Sequence, residues 1–291
     1  MRNSRSADVI ARILNFTGSF RGKARLVDSL GRAATIWNAG YGTFPLPDGK
    51  TVTVDLRDRI QRLMWGGAYE PHVKRCLIAL LRPGDTFVDV GSHIGFFSLI
   101  ASSIVGPSGQ VYAFEANSDL FGKLKSNAVQ YPWMVPSLNA VWSKSGTVSF
   151  SNPEQAGETG WGKLTAVRKE GTISSVEAIC LDEWHESVGY QPIRAIKIDA
   201  EGSEPFILDG AQRIIEKARP ILIIELNDQL LAEVDQTREG IVGGIRDKRY
   251  RIFSMGINGI DEQLDLNKAL LPELLCVPSE IVEEVSHNLM L

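Results

Sequence analysis

Cysteine is scarce: Cys76, Cys180 and Cys276 stand far apart, each inside an apolar stretch, and none forms a CxxC pair. Three separated cysteines argue against a disulfide framework, and buried free thiols in a reducing compartment are expected. No apolar run approaches the length of a membrane span. The basic start lacks the uninterrupted apolar core and small-residue cleavage pattern of a secretory signal. A cytoplasmic location is therefore expected. There is no internal repeat and no low-complexity segment. A strong excess of one charge is missing too, since the formal net charge is −4, and no nucleic-acid partner is expected. What remains is an ordinary globular composition, 44% hydrophobic and 23% charged, with material for a substantial core. The length of 291 residues suits one large domain with an appended segment. The division falls near residue 60, with an N-terminal helical segment and β-hairpin over 1–60 and the main domain over 61–291.

The charge is unevenly placed. Residues 1–35 hold seven basic side chains against Asp8 and Asp28, a local +5, so the remainder carries −9. Across residues 7–18, Val9, Ile13 and Phe16, joined by Ile10 and Leu14, have the spacing of an amphipathic helix. Packing on the main body or on a second copy is the commoner use of such a helix. Contact with an anionic membrane surface is the less favoured alternative, and a homo-oligomer is left open. Residues 41–56 place Pro47-Asp48-Gly49 between alternating segments, a β-hairpin pattern. A helix is expected over 71–82, closed by Pro83-Gly84.

From there short apolar runs alternate with helical patterns. Strands are expected at Thr86–Val90, Gln110–Phe114, Val135–Trp142, Ile193–Ile198, Ile221–Leu226, Tyr250–Met255 and Leu274–Pro278. Helices are expected at Phe96–Val105, near 118–130 and across 203–218. Such alternation makes βαβ units and a parallel sheet covered on both faces. Between the first strand and its helix lies Asp89-Val90-Gly91-Ser92-His93-Ile94-Gly95. Glycines there let backbone approach a ligand, and a helix start offers N–H groups. Asp89 is placed to accept from an ammonium group. Glu115 ends the second strand 24 residues after Gly91, where an acid can take both hydroxyls of a ribose. The third glycine of the dinucleotide fingerprint is missing, so a nicotinamide dehydrogenase is the weaker reading. A nucleoside carrying an amino acid, such as S-adenosylmethionine (SAM), fits better. A purely structural use of Gly91 and Gly95, tight helix–strand packing, is the competing explanation.

Four motifs in order resemble the FkbM-type methyltransferase family: Asp85-Thr-Phe-Val-Asp-Val-Gly-Ser-His-Ile-Gly-Phe-Phe-Ser, Phe114-Glu-Ala-Asn117, Ile196-Lys-Ile-Asp-Ala-Glu-Gly-Ser-Glu204 and Pro220-Ile-Leu-Ile-Ile-Glu225. Gly67-Ala-Tyr-Glu-Pro71 adds to the likeness, which spans about residues 65–280. The resemblance implies a class I, Rossmann-like methyltransferase fold: a seven-stranded, mostly parallel sheet with the last strand antiparallel and helices on both faces. It implies SAM as donor and O-methyl transfer to a hydroxyl of a sugar or natural-product acceptor. By position, Asp89, Gly91 and Gly95 would line the methionine part, Glu115 the ribose with Asn117 near it, and Asn139 to Val141 the adenine. Ser92-His93 stands where the family usually has Ala-Asn, and Trp142 replaces a smaller residue.

Methyl transfer is an in-line displacement, helped by alignment and by a base for the acceptor proton. Lys197, Asp199 and Glu201 end the fourth strand and, in an extended segment, would share one side. Asp199 is the first candidate for the base or the acceptor-positioning group, Glu201 the second, and His93 a third by its near-neutral ordinary pKa. The same acids leave a divalent ion open without requiring one. Helix capping is their structural alternative. Lys197 and Glu225 are candidates to face the acceptor, Tyr69 to close over the methionine end, and Trp161 to act as a platform on a long Gly/Ser-rich excursion. A non-catalytic domain that retains the fold is the reading of a different class.

Overall fold

A computed structural model describes residues 4–20, 22–37, 40–152, 163–165, 172–256, 259–261 and 273–289. Helices α1 (Ser4–Phe16) and α2 (Lys23–Trp37) precede an antiparallel hairpin, β1 (Tyr41–Pro45) and β2 (Thr51–Asp55), in which Phe44 pairs with Val52. Helix α3 (Arg59–Trp65) starts at Asp58, whose carboxylate accepts from the Gln61 N–H, an N-cap. Helix α4 (Pro71–Leu80) has proline in its first turn, where a missing N–H costs nothing.

The alternating part follows as β3 (Thr86–Val90), α5 (Phe96–Val105), β4 (Gln110–Phe114), α6 (Ser118–Ala128) and β5 (Met134–Ser137). Next come β6 (Ala140–Val141), β7 (Gly146–Asn152), β8 (Lys163–Thr165), β9 (Thr172–Ile179) and α7 (Leu181–Ser187). The order then runs β10 (Ala195–Ile198), α8 (Glu204–Asp209), β11 (Ile221–Glu225), α9 (Asp228–Ala232) and α10 (Arg238–Asp247). Strands β12 (Tyr250–Gly256), β13 (Gly259–Asp261) and β14 (Glu273–Pro278) lead to α11 (Val282–Leu289).

The main sheet has the order β13-β12-β14-β11-β10-β3-β4-β5. Strands β11, β10, β3, β4 and β5 are mutually parallel, whereas β14 runs antiparallel to both β11 and β12. This is the expected seven-stranded plan with the last long strand reversed, plus the three-residue β13 on one edge. β3 and β10 are buried at every position, as strands covered on both faces must be. Because side chains alternate, Phe87 joins the core on one face while Val88 and Val90 join the core on the other. The first core also contains Ala11, Leu14, Val27, Phe44 and Trp65, so the N-terminal elements form part of the layer over that face.

Two expected elements are divided. The run 135–142 splits: β5 stays in the main sheet, while β6 crosses to a second, four-stranded sheet of order β6-β9-β7-β8. The expected helix over 203–218 stops at Asp209 and resumes as a π-turn over Ile214–Ala218. Gly210 follows the first piece, where a side chain would overlap the Trp142 carbonyl oxygen. Buried Asp182 then caps the second piece, accepting from the N–H groups of Arg213 (2.8 Å) and Ile214 (2.9 Å). The cysteines are free and buried. Among the described residues, no helix is long and apolar enough to cross a membrane.

Hydrogen bonds to a charged group contribute about 1.5–3 kcal/mol each. Asp182→Ala should therefore lower unfolding free energy by about 3 kcal/mol, read from denaturant midpoints; a loss below about 0.5 kcal/mol would show that the cap is dispensable.

Candidate functional site

Strand order reverses between β3 and β10, and in open α/β sheets a crevice forms beyond the carboxyl ends of strands at that point. The cleft found there is lined by Tyr69, Glu70, Gly91, His93, Glu115, Asn117, Asn139, Val141, Phe150, Asp199, Glu201 and Glu225, among others. It encloses about 230 Å³.

One end is built by the glycine turn. Gly91 has φ +79°, a region that side chains disfavour, and a Cβ there would overlap the Asp199 carbonyl oxygen. The turn's N–H groups are largely committed. Those of Gly91 and Ser92 donate to the Phe114 carbonyl at 3.0 Å, and that of Gly95 to Ser92 at 2.7 Å. The N–H of His93 donates to Glu115 Oε2 at 2.7 Å, and that of Asn117 to Oε1 at 2.7 Å. Glu115 is thus held from both sides of the turn. Burial pushes its carboxyl up to about 7 against those two bonds.

Not every expected cofactor residue lines the cleft. Asp89 lies behind the wall, with Oδ2 accepting from Ser98 Oγ at 2.5 Å and Oδ1 buried without a hydrogen-bond partner among the described residues. Gly95 also lies behind it, where a side chain would press on Leu124, so its role there is packing. Asn117 Oδ1 caps α6, accepting from the Asp119 N–H at 2.9 Å. Asn139 accepts from Ser137 Oγ at 2.6 Å. The Tyr69 ring sits against Phe96 and Phe97, at 5.6 and 5.8 Å between centroids.

The other end is acidic. One carboxylate oxygen each from Glu70, Asp199 and Glu225 lie within 4.8 Å of one another. Lys197, buried beneath them, donates to Asp199 Oδ2 at 2.6 Å. Burial alone would lower the lysine's pKa, but Asp199, Glu70, Asp89 and Glu225 outweigh it and raise it. The acids respond in turn. Asp199 and burial raise the Glu225 carboxyl, and burial raises that of Glu70 against the pull of Lys197. The three carboxylates have the spacing of a divalent-ion donor set, but the counter-charge present is an ammonium.

Lys197 and Asp199 do share a side, as an extended segment requires. Glu201 does not join them, because β10 ends at Ile198 and Glu201 sits in a turn at φ +49°. Neither Asp199 nor Glu201 caps α8; Glu204 ties the turn instead, its Oε1 accepting from Ala200 and Gly202 N–H groups. Burial pushes the His93 ring down to about 4, which leaves it neutral and weakly basic near pH 7. Lys197 supports the acids from below instead of lining the cleft. Trp161 lies outside the described residues. The residue given too little weight in the sequence is Glu70. It stands immediately before Pro71 in a left-handed conformation (φ +34°), with no side-chain bond to its helix, so its carboxylate is released toward the cleft. A glutamate preceding a helix proline is the only local signal.

The sheet order, the reversed strand and the acid at the end of the second strand define a class I SAM-dependent methyltransferase. The Methyltransferase FkbM domain matches residues 89–252, more than half of the chain, and the chain belongs to that family. Membership decides against the dehydrogenase reading. The hexuronic acid methyltransferase AglP of Haloferax volcanii is 30% identical over 155 residues, 53% of this chain and 61% of the relative. The match therefore spans about three-fifths of that relative's length. Among solved structures, the FkbM methyltransferase of Methylobacillus flagellatus is 14% identical over 75% of this chain and 54% of that one, with TM-score 0.43. Aeropyrum pernix fibrillarin with bound SAM is 10% identical over 81% and 93%, with TM-score 0.40. The residues present fit the cofactor, since a buried Asp89 oxygen lacks a partner and Glu115 is fixed at the wall of the cleft.

A ribose held by Glu115 needs the ionised carboxylate. A carboxyl raised to about 7 favours its protonated form, a preference lost as pH rises through that value. SAM affinity measured by calorimetry should therefore increase from about pH 6 to about pH 8 in the wild type and stay flat in Glu115→Gln. Glu115→Ala should bind SAM at least about tenfold more weakly; unchanged affinity would remove Glu115 from the cofactor site.

Proposed function

We propose that this chain transfers the methyl group of SAM to a hydroxyl of a sugar or sugar-like natural product. The observation that carries this reading is one cleft that holds both Glu115 and the Glu70–Asp199–Glu225 group in its lining. When bound, SAM supplies an electrophilic methyl carbon on a sulfonium. Glu115 would take the ribose hydroxyls, and Asn139 and Val141 would flank the adenine. Tyr69 covers the methionine end.

At the acidic end, Lys197 holds Asp199 in place through its hydrogen bond, so Asp199 orients the acceptor hydroxyl and receives its proton. Glu70 and Glu225 complete the wall, and the raised pKa values mean that they retain protons near neutrality. Glu201 stands second as a base, at the rim. His93 is neutral and serves the turn through its backbone.

The identity with AglP supports a sugar acceptor. With protons retained on Glu70 and Glu225, the wall offers carboxyl groups that can hydrogen-bond an acceptor hydroxyl. Transfer of label from SAM to a panel of neutral sugars and hexuronic acids tests this. Uptake by neutral sugars is expected, and uptake confined to uronic carboxylates would overturn the hydroxyl assignment. Asp199→Asn should leave SAM affinity within about twofold and slow methyl transfer about 10²-fold or more. A variant with full turnover would take Asp199 out of the reaction.

A further inference from the structure

Helix α1 has two apolar faces, and only one is used. Ala11 and Leu14 are buried in the core below the helix. Asn15 donates to the Trp65 carbonyl at 2.8 Å, and buried Lys23 closes the helix end by donating to Leu14 and Thr17 carbonyls, both at 2.8 Å. The helix is therefore seated by its inner face. On the outer face Val9, Ile13 and Phe16 are 55%, 59% and 93% exposed. With about 100° between successive residues they fall within about 60° of arc. Exposed Arg12 lies about 40° beyond Phe16 on the same wheel.

The exposed charges described along this part of the chain are basic. Among the described side chains from Val9 to Ile36, the exposed charged residues are Arg12, Arg25 and Arg32. The single acid there, Asp28, is partly buried and accepts from Arg62 and Arg32. We propose that the outer face of α1 docks on an anionic lipid surface, with Val9, Ile13 and Phe16 entering the headgroup boundary and the arginines meeting lipid phosphates. A second copy fits less well. A two-fold contact sets a patch against its own copy, which would bring two basic patches together.

The test sediments the full chain with vesicles of phosphatidylcholine, or of phosphatidylcholine and phosphatidylglycerol in equal parts. Binding to the mixed vesicles should be at least about tenfold stronger and should weaken with added salt. Ile13→Ser combined with Phe16→Ser should reduce it at least about tenfold, with an unchanged thermal midpoint because both side chains face solvent. Three results would overturn the proposal: no sedimentation with either vesicle, equal binding to both, or a dimer in light scattering that Phe16→Ser dissociates.

Discussion

A lysine ammonium sealed under the carboxyl ends of two adjacent strands is the charge on which this cleft depends. Lys197 sits opposite Asp89 in the β3–β10 register, and its Nζ lies 5.0 Å from the centre of the Phe97 ring. Without it, Asp89, Asp199, Glu70 and Glu225 would have no buried cation among them, and several would have to hold protons. With it, Asp199 is held by a hydrogen bond from the ammonium, while burial and the neighbouring acids raise the Glu70 and Glu225 carboxyls.

The positions of the strands were legible because a covered parallel strand is apolar throughout and ends abruptly. Thr86–Val90 and Gln110–Phe114 have the bounds that the pattern implies. Glu115 was legible for the same reason, as a charge ending such a run. What escaped the pattern depended on contacts between distant segments. Nothing near Gly210 announces that the Trp142 backbone lies against it, so one helix became two pieces. The run 135–142 is continuously strand-like, yet it serves two sheets. Extended alternation put Glu201 beside Asp199, and the turn after β10, left-handed at Glu201, removed it. Glu70 was hard to weigh because its importance comes from a backbone conformation.

That conformation recurs around the cleft. Glu70, His93 and Glu201 all have positive φ, at 34°, 54° and 49°, and all three line the cleft. Left-handed backbone at a residue bearing a Cβ costs of order 1–3 kcal/mol and persists where the surroundings over-determine it. For two of them the surroundings are identifiable: Glu115 on the His93 N–H, and Glu204 across the turn that holds Glu201. Stability of the surrounding fold is thereby exchanged for the placement of polar groups at one opening.

The three thiols are distributed as usefully as if they had been introduced for the purpose. Cys76 lies on α4 in the core shared with the N-terminal elements, and Cys276 lies on β14 in the core of the opposite face. Cys180 stands at the head of α7, its Sγ donating to the Gly210 carbonyl at 3.1 Å. A thiol reagent reaches each only when its own part of the molecule opens. The protein therefore carries three native clocks for local opening, one on either side of the sheet and one at the join with the second sheet.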